Sequence, residues 1–226
     1  MSSAQAVEIK LDEGRGVSGL LQAPAEARAC LVLAHGAGAG MKHPFMASIA
    51  EGLASRGVAT LRYQFPYMER GAKRPDPPAL AQSAVRAAVA EAARQLPELP
   101  IFAGGKSFGG RMTSQAQAEK PLAKVRGLAF LGFPLHPPGR ESDERGKHLF
   151  EVRVPMLFLQ GSRDEFAKLD LLRPLVERLG ANAMLKLFAD ADHSFHVPAR
   201  SGRKDADVRE ELLDALAGWI AAVAIG

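Results

Sequence analysis

The 226-residue sequence predicts an α/β fold, with a mostly parallel central sheet, helices on both faces and no large cap domain. Three observations predict it. Short apolar runs alternate with longer amphipathic ones along the chain. Several apolar runs lead into loops rich in glycine or acidic residues, where open α/β sheets place their ligand crevice. The length, with 47% apolar and 24% charged residues, suits one domain with a sizeable core, so residues 1–226 read as a single unit.

The elements follow in order. Val7–Leu11 and Val17–Leu21 read as an N-terminal hairpin, and Cys30–Ala34 as the first buried strand. Phe45 to Ser55 is helical, closed by Gly57. Val58–Tyr63 is the next strand, and Leu80, Ala84, Ala88, Ala92 and Leu96 mark the apolar face of the next helix. Ile101–Gly104 is a strand, followed by a helix that starts at Ser107 and ends before Pro121. Gly127–Phe133 and Val154–Gln160 are strands. Leu172, Leu175, Val176 and Leu179 form a helical stripe, and Pro174 suggests that this helix starts close by. Ala183–Phe188 is the last strand, and Val208, Leu212, Ala215, Leu216 and Trp219 mark the last helix. Two segments, Pro66–Pro78 and Phe133–Arg153, read as irregular because proline and charge dominate them. The second is too short and too broken by Pro134, Pro137, Pro138, Gly139 and Gly146 to build a cap; it holds at most a short helix around Arg140–Phe150.

Composition narrows the function. The formal charge of +4 is spread along the chain without like-charge runs, and aromatic and basic residues do not interleave, so no nucleic-acid partner is expected. Cys30 is the single cysteine and excludes an intrachain disulfide. Met1 to Lys10 holds no apolar stretch of signal-peptide length, and no window reaches the ~20 apolar residues of a membrane span. A cytoplasmic protein is expected, with no membrane partner.

Chemistry concentrates at Gly105-Lys106-Ser107-Phe108-Gly109, a G-x-S-x-G run between a strand and a helix. Small neighbours let a serine sit on a sharp, strained turn with its hydroxyl exposed above the sheet. In that architecture an acid and then a histidine follow along the chain. Gly161-Ser162-Arg163-Asp164-Glu165 follows one strand candidate, and Asp190-Ala191-Asp192-His193-Ser194-Phe195-His196 follows the next. Ser107, Asp164 and His193 are therefore the expected catalytic residues, with Glu165 and His196 as competitors for the last two places. The expected oxyanion hole uses the amide of Phe108, next to the nucleophile, and that of Ala37, in the His35-Gly36-Ala37-Gly38 loop after the early strand. His35 is expected to brace that loop. His136, Arg62 and Lys106, at or near strand ends, are candidates for attracting an anionic group of the substrate.

Two decoys fail. Gly104–Ser107 resembles the end of a P-loop, but Pro100 occupies the place of its first glycine. Gly36-Ala37-Gly38 resembles a dinucleotide loop, but Met41 stands at its third glycine. The six histidines show no H-E-x-x-H spacing and a single cysteine cannot build a thiolate-rich site, so no metal or cofactor is expected.

These motifs, together with Leu61–Tyr67, Phe133-Pro134-Leu135-His136 and Asp192-His193-Ser194, resemble the α/β-hydrolase superfamily from about Cys30 to Trp219. The nearest likeness is to a small lidless group related to dienelactone hydrolases, and to the hydrolase-like domains of a testis-expressed protein and of a nonspecific-lethal complex subunit. The resemblance implies a triad of Ser107, Asp164 and His193. Dienelactone hydrolases proper carry cysteine at the elbow, so Ser107 departs from that activity. The expected function is a serine hydrolase acting on a small-molecule carboxylic ester, thioester or activated amide. The competing expectation is a scaffold that keeps the fold and binds without useful turnover.

Overall fold

A computed structural model describes residues 3–11 and 15–225; residues 1, 2, 12–14 and 226, part of the expected single unit, lie outside the described residues. The chain runs β1 (Gln5–Lys10), β2 (Gly16–Gln22), β3 (Ala29–Ala34), α1 (Pro44–Ala54), β4 (Val58–Tyr63), α2 (Pro66–Glu69), α3 (Pro78–Gln95), β5 (Ile101–Lys106), α4 (Phe108–Glu119), β6 (Val125–Leu131), β7 (Met156–Gly161), α5 (Leu169–Leu179), β8 (Ala183–Phe188) and α6 (Asp205–Ile225). A 3₁₀ segment covers Glu144–Glu151.

The strands form one sheet in the order β1-β2-β4-β3-β5-β6-β7-β8. The hairpin β1–β2 pairs antiparallel and joins β4 antiparallel; the remaining neighbours are parallel. Alternation along each strand feeds two cores. Cys30, Val32 and Ala34 face α3, α4 and α5 with Ala84, Met112 and Leu172. Leu31 and Leu33 face α1 and α6 with Ile49, Leu53, Leu212 and Leu216. β3 and β5 are buried on both faces, which is why they read as continuous small or apolar runs. Helices cover both faces and no large cap stands over the strand ends, as the sequence predicts.

Three expectations need correction. The helix read as starting near Pro174 begins at Leu169, with Pro174 inside it. The ring removes one amide donor, and the buried stripe Leu172, Leu175 and Val176 holds the helix across that loss. The segment 66–78 is not wholly irregular, because Pro66 sits at the first helical position of the short α2. The sixth strand lies two residues earlier than read: Gly132 takes φ +71° and turns the chain out of the sheet after Leu131.

Candidate active site

Parallel strands deliver the site to the carboxyl edge of the sheet. β5 is central, flanked by β3 and β6. Beyond its end, Ser107 caps α4 with φ 49° and ψ −115°, a left-handed conformation that costs a non-glycine residue about 1–3 kcal/mol. Close packing enforces it. A Cβ on Gly109 would stand 2.6 Å from the carbonyl oxygens of both Ala34 and His35, and one on Gly105 would run into the Ala34 carbonyl. The glycines let the elbow press against the end of β3.

His193 Nε2 lies 2.8 Å from Ser107 Oγ, and its Nδ1 lies 2.7 Å from Asp164 Oδ2. The Asp164 side chain is fully buried. Its Oδ1 accepts from the Phe166 amide at 2.8 Å, and its Oδ2 also accepts from Gln160 Nε2. Gln160 Oε1 in turn accepts from the Phe133 amide at 2.8 Å, so the amide is locked and points its nitrogen at the carboxylate. The Phe166 ring covers the imidazole at 4.3 Å between centroids. Such a line can draw the hydroxyl proton onto Nε2 and hold the imidazolium that results.

The competitors separate. Glu165 is exposed, and His196 lies in the same loop as His193 but turns to Asp205, with Nδ1 2.8 Å from its carboxylate. A second serine–histidine contact, Ser114 Oγ to His148 Nε2 at 2.7 Å, was not foreseen. Ser114 is fully buried and no carboxylate of the described residues pairs with His148, so this contact joins α4 to the 3₁₀ segment.

The loop after β3 is braced as expected. His35 is buried; its Nε2 accepts from the Phe65 amide at 3.0 Å while Nδ1 meets the Gly36 carbonyl at 2.7 Å. Burial lowers its pKa and favours the neutral ring that this pattern requires. Tyr67 Oη donates to the Ala37 carbonyl at 2.8 Å. Ala37 lines a cavity of about 470 Å³ with Ser107, His193, Lys106, Phe45 and Phe166. Phe108 is the first residue of α4, so its amide has no acceptor within the helix, while its ring packs on Phe65 and Tyr67.

Of the three candidates for substrate contact, only Lys106 lines this cavity. Its ammonium donates to the His193 carbonyl at 2.6 Å, and burial pulls its pKa down to about 8. Arg62 is 4% exposed and donates to the Met41 carbonyl at 3.3 Å. His136 is 1% exposed, and its Nε2 accepts from the Lys168 amide at 3.0 Å. Both hold loops and neither reaches the cavity. Gln160 and Tyr67 are site residues that the sequence reading missed. Gln160 had a signal: it is the one polar residue among Val154–Gln160 apart from its proline punctuation, four places before Asp164. Among the described residues, no three His, Cys, Asp or Glu side chains converge as a metal would require.

The sequence profile of the alpha/beta hydrolase domain matches residues 27–221. The chain belongs to this family. Solved structures of α/β hydrolases are similar over nearly the full length. A dienelactone hydrolase from Anabaena variabilis is 21% identical, with 98% of each chain covered and a TM-score of 0.77. An α/β serine hydrolase homologue from Coxiella burnetii is 20% identical over 96% of this chain and 99% of its own, at 0.76. A serine hydrolase without a lid from Xanthomonas campestris is 21% identical over 97% and 96%, at 0.75. At such identities the likeness is one of fold, and this α/β hydrolase shares with the last the lack of a large cap.

Proposed function

We propose that the chain is a serine hydrolase that cleaves a small carboxylic ester, thioester or activated amide through an acyl-serine. The observation that carries this reading is the hydrogen-bonded line from buried Asp164 through His193 to Ser107, at 2.7 and 2.8 Å, on the wall of the cavity. Ser107 Oγ attacks the carbonyl carbon while His193 Nε2 takes its proton. The amides of Ala37 and Phe108 receive the charge on the carbonyl oxygen. His193 returns the proton to the leaving group, and water repeats the sequence on the acyl-serine to release the acid. Asp164 holds the Nδ1–H tautomer throughout. Lys106 ties the histidine loop to the elbow through the His193 carbonyl and places a cation in the cavity wall. The reading includes a single domain and a cytoplasmic setting, for which buried, unpaired Cys30 is the support.

The test is labelling with a fluorophosphonate, followed by a panel of p-nitrophenyl esters. The wild-type chain is expected to label and turn over; Ser107→Ala is expected to lose labelling and on the order of a million-fold in kcat. A chain that neither labels nor turns over is the binding scaffold of the competing reading.

A further inference from the structure

We propose that α4 carries, beside the nucleophile, a second binding site in which Arg111 and Arg145 hold an anionic group of the substrate, a carboxylate or a phosphate. The substrate part rests on the hydrolase reading; the anion site does not.

The two arginines are brought together by the joint between α4 and the 3₁₀ segment. Ser114 meets His148 at 2.7 Å. Arg111 stands three residues before Ser114 and Arg145 three before His148, so both lie about one turn toward the start of their elements. Burial depresses the Arg111 guanidinium, and Arg145 is close enough for its charge to depress it further. Helical side chains lean toward the N-terminus. Accordingly the Arg111 guanidinium carbon comes 5.9 Å from the centroid of Phe108, next to Ser107.

Nothing neutralises this pair. Among the described residues, neither arginine side chain makes a hydrogen bond or an ion pair within 4.0 Å. The carboxylates next to Arg145 in the chain turn elsewhere, Asp143 to Arg178 and Glu144 to Lys147. Arg111 Nε is buried without an acceptor, and so is Gln115 Oε1 without a donor, one turn further along the same face. Two half-buried like charges, one of them with a buried and unsatisfied Nε–H, are costly, and proteins hold such groups against a counter-charge. A guanidinium offers paired donors that match a carboxylate or phosphate.

The position fits a substrate. The Arg111 amide donates to the Ser107 carbonyl at 3.1 Å, so their Cα atoms are about 6 Å apart along the helix. An anion held by the guanidinium then sits a few bonds from the scissile carbonyl. Neither arginine lines the 470 Å³ cavity. That cavity takes the apolar part of the substrate and the arginines take the charged part.

The experiment compares free acids with their methyl esters, which differ by one charge: mono-p-nitrophenyl adipate for an acyl-side anion and 4-acetoxybenzoate for an alcohol-side anion. In one pair or the other, wild-type kcat/KM is expected to favour the free acid. The acid-to-methyl-ester ratio is expected to fall at least tenfold in Arg111→Met and in Arg145→Met, and largely to survive in Arg145→Lys. Calorimetric titration with adipate and with inorganic phosphate at low salt gives a readout free of turnover and separates the two anions; the methionine variants are expected to bind severalfold more weakly. Binding that fails in the variants of a chain hydrolysing no ester keeps the anion site and removes the hydrolase reading. Turnover indifferent to charge in both pairs, with no anion binding by the wild type, overturns the site. Arg145 lies on the 3₁₀ segment rather than in a sheet core, so its variants test the idea even if Arg111→Met does not fold.

Discussion

Asp164 and Glu165 show how finely one loop sorts its residues. The first accepts from Gln160, Phe166 and His193, and the second is exposed. Asp164→Asn is expected to cost about four orders of magnitude in kcat, because the amide would support the wrong imidazole tautomer. Glu165→Gln is expected to change little. Kinetics of both variants on p-nitrophenyl acetate check this; a crippled Glu165→Gln would move the carboxylate's role to the neighbour. At this scale the order along the chain was enough to expect that Ser107, Asp164 and His193 meet, and their side chains do meet. It was unreadable where roles depend on which way a side chain turns. Arg62, Lys106 and His136 all sit at or near strand ends, yet only the lysine faces the cavity, while each of the others makes a hydrogen bond to loop backbone. The nearness of Arg111 and Arg145 has no signal in the sequence, because it comes from packing between elements that the sequence does not relate.

The joint between α4 and the 3₁₀ segment makes a prediction at the scale of elements. Burial, and then the charge of Arg111, lower the His148 pKa to about 4. In the unfolded chain the ring takes a proton near pH 6.5. Between these values the unfolded state binds more protons than the folded one, so stability rises with pH across the window. The contribution is whole above pH 6.5 and is lost as pH falls toward 4. Urea midpoints at pH 7 and 4.5 are expected to differ less in His148→Gln than in the wild type; equal differences would deny the half-buried neutral ring. Elements themselves were largely legible. β4 and β8 fall where their apolar runs lie, and α4 runs from Phe108 to Glu119 beneath the Ser107 cap. Errors arose where tertiary packing overrode a local signal, as when the buried stripe of α5 carried the helix through Pro174.

At the scale of the molecule, the lack of a large cap decides how much of a substrate can be buried. The 3₁₀ segment Glu144–Glu151 is the only helical structure between β6 and β7 among the described residues. Burial of each CH₂ is worth about 0.8 kcal/mol, and an uncovered cavity of about 470 Å³ gives that return only to short chains. Across esters from acetate to palmitate, kcat/KM is expected to stop improving after a few carbons, without a jump above the micelle threshold. A peak at about twelve carbons or beyond would reveal covering that this fold does not provide. Chain connectivity has a consequence of another kind. Ser107 and His193 touch across 86 residues of sequence. A ribosome adding about 5–20 residues each second leaves Ser107 without this histidine for roughly 4–17 s. The elbow can be shaped early, but the Ser107–His193 contact cannot form until β8 and the loop after it have been made and have docked, so on the proposed reading hydrolytic competence waits on the joining of two distant stretches of chain.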